Sequence, residues 1–354
     1  RSATIDLFKS ENQKHAYYKG LQTCGSAHSC PICATKITEH RKNEIDQIIE
    51  KSKNKHLYLI TFTIPHYYNQ SCSDVRDMFM TAKRKLKQWK SIKYHHEYTP
   101  FRKILKHHKY NGDITTVEVT NGSNGWHIHS HDLYIFDDPV KDLKKFRQDI
   151  FQNWTKSCLY SGIDIKKPYA FYRRSIVVDH LQGDHLNRMS AYLAKMDYKD
   201  HWGLSNELTK SHMKKAEGKN LTPFGMLHAI NDAQGEHSRS LYRQLAPKYF
   251  EYCKTFKQKN FIRFSRGLKA KYGLKDITDE QAAKQEDLFK SYYGYFERQS
   301  EWKLIKQLKL RGFVIQNSDK DWNDLTQILN EEIRIRQRAL QNGTAKQQGV
   351  SAKA

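Results

Sequence analysis

With 354 residues the chain is long enough for two domains, or for one large domain with additions. It carries 61 Lys and Arg against 38 Asp and Glu, a net charge of +23 at pH 7, and 12% of its residues are aromatic; such a field attracts polyanions and such rings offer flat faces to unstacked bases, so nucleic acid is the expected partner. No stretch approaches the ~18 uninterrupted apolar residues of a membrane span, no signal-peptide pattern opens the chain, and six cysteines are too few for a disulfide scaffold, so a soluble protein of a reducing cytoplasm is expected.

Residues 1–23 are polar and basic without periodicity and read as a flexible lead-in. Cys24, Cys30 and Cys33 follow, with Gly25 and Pro31 to shape a turn, in a spacing that suits a zinc knuckle. Structural zinc takes four ligands; the cysteines supply three, and His28, His40 or His15 is the candidate fourth. From 35 to 51 the residues Ile37, Ile45, Ile48 and Ile49 repeat as on an amphipathic helix. Next, His56 to Pro65 is the most strand-like run of the chain, rich in β-branched and aromatic residues and closed by a proline. Ser73 and Asp74 can cap a helix over 75–90, on which Met78, Phe79, Ala82, Leu86 and Trp89 form one apolar stripe that reads as core.

Residues 113–120 read as a strand, Asn121 to Gly125 as turn chemistry, and Gly125 to Phe136 as a second strand, which together predict a hairpin. A strand places residues i, i+2 and i+4 on one face, so His127, His129 and His131 aim the same way, with Glu118 across from them. That is a metal-binding pattern, because the neutral imidazole is a common ligand and a carboxylate completes a mixed set. Pro139 and the spacing of Phe146, Ile150, Phe151 and Trp154 predict a helix over 140–157; a short strand spans 175–179, and a helix from Asn187 carries Tyr192 and Lys195. Strand, helix, strand, strand, helix, strand, helix predicts an α+β fold, an antiparallel sheet with helices on its face.

Past residue 200 the chain reads as mostly helical and very basic, with Lys and Arg dense from 257 to 275, a run expected to bind DNA phosphates. Residues 341–354 are of low complexity and read as a disordered tail. The resulting division is a knuckle and lead-in helix over 1–55, a sheet domain over 56–200, a helical basic region over 201–340, and the tail.

Three motifs in order make the chain resemble the replication initiators of rolling-circle plasmids and phages, in the HUH endonuclease superfamily. They are the run from Leu59 to Pro65, like the family's opening strand; the run from His127 to Phe136, like its histidine strand; and Tyr192 to Lys195, like its Tyr-x-x-Lys helix. The cysteine knuckle with Ile37 and Arg41, and the segments starting at Glu207 and Leu221, resemble further parts of such initiators. Two features depart from the pattern. Aligning the ligand pair as His129 and His131 puts Ser130 in a slot that is usually hydrophobic and Asp132 after it, whereas His127 with His129 obeys the rule but shifts the register. Only one tyrosine fits, since Arg188 lies four residues before Tyr192.

The resemblance implies an RRM-like palm that nicks and rejoins one DNA strand through a 5′-phosphotyrosine on Tyr192, with Lys195 on the same helix face. It also implies a divalent ion, manganese or magnesium, held by His129, His131 and a third ligand, Glu118 first and His127 second. Host helicase and polymerase are the implied partners. A transposase or relaxase of the same superfamily would share these residues; from a different class, a non-catalytic zinc-containing DNA-binding regulator is the rival reading.

Overall fold

The structure is a computed structural model that describes residues 3–10, 16–19, 24–88, 99–182, 220–232, 235–260, 262–284, 290–308 and 310–351. In chain order the elements are β1 (Thr4–Ser10), β2 (Ala16–Lys19), α1 (Pro31–Glu50), β3 (His56–Thr63), α2 (Cys72–Gln88), α3 (Phe101–His107), β4 (Tyr110–Gly122), β5 (Gly125–Phe136), α4 (Leu143–Tyr160), α5 (Pro168–Arg174) and β6 (Ile176–Leu181). After them come α6 (Pro223–Asp232), α7 (Gly235–Phe256), β7 (Ile262–Phe264), α8 (Leu268–Lys271), α9 (Asp279–Lys284), β8 (Lys290–Glu297), α10 (Glu301–Gln307), α11 (Arg311–Gln316) and α12 (Trp322–Ser351). The fold is α+β, with antiparallel sheets flanked by helices, as the alternation of element types predicts. No described helix is long and apolar enough to cross a membrane.

Packing divides the described residues into two units: Arg1–Cys24 joins Lys284–Ala354, and the residues between form the larger unit. Residues on both sides of the boundary expected at 55 belong to the larger unit, and the boundary expected at 200 lies outside the described residues. In the larger unit an antiparallel sheet runs in the order β6-β3-β5-β4-β7. Its central strands are apolar on both sides because helices cover both faces. On one, Tyr58, Phe62, Trp126 and Tyr134 pack with Phe79 and Leu86 of α2, Trp154 of α4 and Tyr252 of α7. On the other, Leu57, Leu59, Leu133 and Ile135 pack with Ile45 and Ile48 of α1 and Leu268 of α8. Each such side chain, fully buried, contributes roughly 2 kcal/mol. The helix after the knuckle is thus part of the sheet's own core rather than of a separate segment.

Helix α1 is also fixed by charge. Arg41 donates to Glu44 at 2.8 Å and to Asp279 at 2.7 Å, and Lys269 donates to Glu44 at 2.8 Å. Burial alone would push the Glu44 carboxyl up, but hydrogen bonds from His40, Lys269 and Arg41 outweigh it and hold the group down at about 2. A carboxyl held below its unfolded value adds stability above about pH 4.5 and loses it as pH falls toward 2. Glu44→Gln should therefore cost about 2 kcal/mol at pH 7, because Lys269 and Arg41 each lose a charged acceptor while Arg41 keeps Asp279, and should flatten the acid limb of a urea-unfolding series between pH 5 and 2; an unchanged acid limb would remove this account.

Two strands arise in the region past 200 that was expected to be mostly helical. β7 extends the sheet beside β4, pairing Ile114 with Phe264 and Thr116 with Ile262. β8 belongs to the smaller unit, where it pairs with β1 in a sheet of order β2-β1-β8. Where the lead-in is described, Thr4–Ser10 and Ala16–Lys19 form a strand pair. Ile5 and Leu7 alternate with polar residues and enter a core with Phe296, Trp302, Ile305, Leu310, Val314 and Leu325. Gly294 is required there, since a Cβ would stand 2.3 Å from the Trp322 ring. Helix α12 continues through Ser351, so the tail read as disordered is helical over most of its length; its alanines, lysines and glutamines are good helix formers that propagate an established helix.

Candidate metal centre

The hairpin of β4 and β5 turns on the two residues between Gly122 and Gly125. Gly125 has φ +86°, and a Cβ on it would lie 2.9 Å from the Tyr67 carbonyl oxygen and the Tyr68 Cα, so glycine is needed twice over. This turn sets the register in which Glu118 lies opposite His129, and Thr116 opposite His131. On the other side, Thr63 of β3 is opposite His129 and Thr61 is opposite His131. Directly opposed residues share a face with Cβ atoms about 5 Å apart. The face that is apolar at Leu59, Leu133 and Ile114 turns polar one step further along, where Thr61, His131, Thr116, His129 and Glu118 follow.

Three donor atoms converge there. His129 Nε2 and Glu118 Oε2 are 3.2 Å apart, His131 Nε2 and Glu118 Oε2 3.4 Å, and the two Nε2 atoms 3.2 Å. Donors bound to one ion at about 2.1 Å stand roughly 3.0 Å apart in octahedral and 3.4 Å in tetrahedral arrangement, so the set has the spacing of ligands around a common cation. Two imidazoles and a carboxylate fit a divalent ion such as manganese, zinc or iron by their chemistry. His131 Nδ1 sits 2.9 Å from Thr61 Oγ1, an outer contact that orients the ring. His129 Nδ1 is buried with no hydrogen-bond partner among the described residues.

His127 stands apart from this set. Its Nε2 is 2.9 Å from Thr63 Oγ1, and its ring stacks between those of His66 and His129 at 4.9 and 4.7 Å. Burial, then the neighbouring His129 and His66, push it down to about 4, so at neutral pH it is an uncharged imidazole. Burial lowers His66 as well. Of the two registers open in the sequence, the structure brings together His129 and His131, with Glu118 and without His127.

The departures at Ser130 and Asp132 have a cause on the opposite face of β5. Both are fully buried, and Asp132 pairs with Lys83 of α2. Nearby, Lys87 reaches Asp113 of β4 at 2.7 Å. A buried ionic seam thus replaces the apolar contact the family pattern leads one to expect.

The sulfurs of Cys24, Cys30 and Cys33 lie within 4.8 Å of one another. Cys30 caps α1, Pro31 begins it and Cys33 lies in its first turn. Gly25 has φ +69°, and a Cβ would meet Glu280 Cγ at 2.6 Å, which lets the loop close against α9. His28 is not with the cysteines. Its Nδ1 is 2.7 Å from the Tyr252 hydroxyl and its Nε2 is 2.5 Å from the Lys259 carbonyl oxygen. His40 faces Glu44 on α1 at 3.3 Å, and His15 lies outside the described residues. Three thiols without a described fourth ligand can still form a knuckle. The purified protein should hold about one zinc per chain that survives mild chelation, and Cys33→Ser should lose it together with several degrees of thermal stability; elemental analysis that finds no zinc in either form would refute this.

Tyr192 and Lys195 lie outside the described residues. The chain re-enters at Leu221, which exchanges two backbone hydrogen bonds with Asn121 at the hairpin end of β4. Of the basic run after 256, Lys257, Arg263, Arg266 and Lys271 are exposed, whereas Lys269 is buried on Glu44. Thr61, Thr63 and His66 were not singled out from the sequence. The period-2 alternation that places Leu59 in the core assigns Thr61 and Thr63 to the histidine face and could have found them.

An antiparallel sheet covered by helices, presenting two imidazoles and a carboxylate from its central strands, defines an α+β protein with donors that could hold a metal ion. Among curated proteins the chain is similar to "Protein rep" of Streptomyces lividans, 24% identical over 298 residues that take in 72% of this chain and 64% of that protein. The chain thus spans somewhat less than two thirds of that relative. No family model and no solved structure matches it.

Proposed function

We propose that the chain is a plasmid replication initiator that nicks and rejoins one strand of origin DNA, in the manner of rolling-circle initiators of the HUH superfamily. The observation that carries this reading is the convergence of Glu118, His129 and His131 on adjacent central strands of a strongly basic chain. The likeness to a replication protein supports the same reading.

Cutting a strand so that it can be rejoined without an energy source requires the phosphodiester's free energy to be kept in a second ester. In this proposal the Tyr192 hydroxyl attacks the scissile phosphorus. A phosphotyrosine ester forms at the 5′ side, the bond to the 3′ oxygen breaks, and the phenolic proton is balanced by the one gained at that 3′ oxygen, which is left free to prime synthesis. A phenol with an ordinary pKa near 10 is a weak nucleophile at pH 7. Lys195, three residues on, is assigned to hold a phosphate or favour the phenolate. Glu118, His129 and His131 would hold a divalent ion, manganese or magnesium, which supplies positive charge at the scissile phosphate. Thr61 holds the His131 ring at its Nδ1 with Nε2 turned to the cluster, and the uncharged His127 and His66 rings wall the site. Host helicase and polymerase are the proposed partners in replication.

The test is a denaturing gel of labelled single-stranded DNA carrying the replication origin, incubated with the protein and manganese. A metal-dependent band in which protein and DNA migrate together is expected. Binding of DNA with no such band at any metal concentration would favour a zinc-containing DNA-binding regulator and end the enzymatic reading.

A further inference from the structure

The loop between β3 and α2 places aromatic rings and cations beside the metal centre. His66 stacks on His127, which stacks on His129, so the loop is continuous with the donor cluster through a column of three rings. The two residues after His66 are Tyr67 and Tyr68. Their backbone is pressed against Gly125, and the loop closes on itself through Tyr67 N to Gln70 Oε1 at 2.8 Å and Gln70 N to the Tyr67 carbonyl at 3.0 Å. On this hydrogen-bonded backbone Tyr68 is 72% exposed. Each tyrosine has a cation over it. Lys248 Nζ is 6.0 Å from the Tyr68 ring centroid and is steered by a 2.8 Å hydrogen bond to Asn121 Oδ1, and Lys166 Nζ is 4.8 Å from that of Tyr67. Lys166 Nζ also lies 3.7 Å from Asp164 Oδ2 in an exposed ion pair, and Glu251 of α7 accepts from the Cys72 N–H and the Trp126 indole N–H.

From these positions we infer that Tyr68, with Lys248 and Lys166, is a stacking platform for single-stranded DNA, which leads an unpaired strand to the Glu118, His129 and His131 cluster. Every base has a face that can lie on the open side of the exposed Tyr68 ring, while the two ammonium groups, each over a tyrosine ring, lie close enough to meet the backbone phosphates of a strand stacked there. Duplex DNA keeps its base faces covered and gains only the charge contacts. The net charge of +23 supplies general attraction; the ring supplies the preference for unpaired strand. This inference rests on the reading of the chain as a protein that handles single-stranded DNA at that cluster.

The test is binding of a fluorescein-labelled oligothymidine, and of a duplex of equal length, to the full chain in the presence of chelator, so that no cleavage is involved. Tyr68→Ala should weaken the single strand roughly 5- to 150-fold, the range for one lost stack, and leave the duplex within about twofold. Tyr68→Trp should bind the single strand at least as well as the unaltered chain. Lys248→Gln should lower the salt slope for the single strand by about 0.7, the value for one phosphate, which Tyr68→Ala should not do. An unchanged affinity of Tyr68→Ala for oligothymidine, or an equal loss for duplex, overturns the platform. The covalent band, assayed separately, distinguishes the two readings: the band with no Tyr68 effect removes the platform alone, and a Tyr68 effect with no band removes the nicking chemistry alone.

Discussion

Tyr192→Phe is expected to abolish the covalent protein–DNA band while thermal stability, metal binding and DNA affinity stay at the level of the unaltered chain. The substitution removes one oxygen and keeps the ring, so any structural role of the side chain is preserved. Phenylalanine has no atom that can become the ester, and the loss should be complete within detection rather than a matter of degree. Tyr198→Phe is the control, because Tyr198 is the neighbouring tyrosine and has no lysine three residues on. A band that persists in Tyr192→Phe and vanishes in Tyr198→Phe would move the nucleophile to Tyr198; persistence in both would end the tyrosine mechanism.

His129→Ala should lower the cleavage rate about 10³-fold, since several kcal/mol of charge stabilisation at the phosphate depends on the bound ion. His131→Ala and Glu118→Ala should act alike, because their donor atoms lie within 3.2 to 3.4 Å of each other and of His129 Nε2. Each should also weaken manganese binding measured by calorimetry on the free protein, a readout independent of DNA, and excess manganese should partly restore the rate. His127→Ala is the informative contrast. Its Nε2 is turned to Thr63 Oγ1 and away from the convergent donors, so a loss of less than about tenfold is expected. A loss of manganese affinity in His127→Ala equal to that in His129→Ala would return His127 to the ligand set and refute a centre made of Glu118, His129 and His131 alone.

Much of the site was legible in the residues. Period-2 alternation put three histidines on one face of a strand, and the turn at Asn121 to Gly125 put Glu118 across from them, because a hairpin's register follows from its loop length. The same alternation could not say which two histidines ligate. That depends on what β3 presents opposite each ring: Thr63 draws away Nε2 of His127, while Thr61 takes Nδ1 of His131 and leaves its Nε2 for the cluster. The apolar runs of α1, α2, α4 and β3 likewise fixed their element types, since buried faces must repeat at the period of the backbone.

By itself, then, the sequence determined the α+β class, the hairpin that carries the metal donors, the cysteine triad and a charge suited to nucleic acid. Each of these is a property of neighbouring residues or of composition. Only the tertiary structure decided the rest. Thr4 to Ser10 is a strand because Lys290 to Glu297, far along the chain, pairs with it. Asp132 is tolerated in the core because Lys83 from a helix meets it there. His28 is drawn from the cysteines by Tyr252 and the Lys259 carbonyl. In each case the deciding partner is distant in sequence, and local spacing carries no signal of which distant group will satisfy a strand edge, a buried charge or an imidazole.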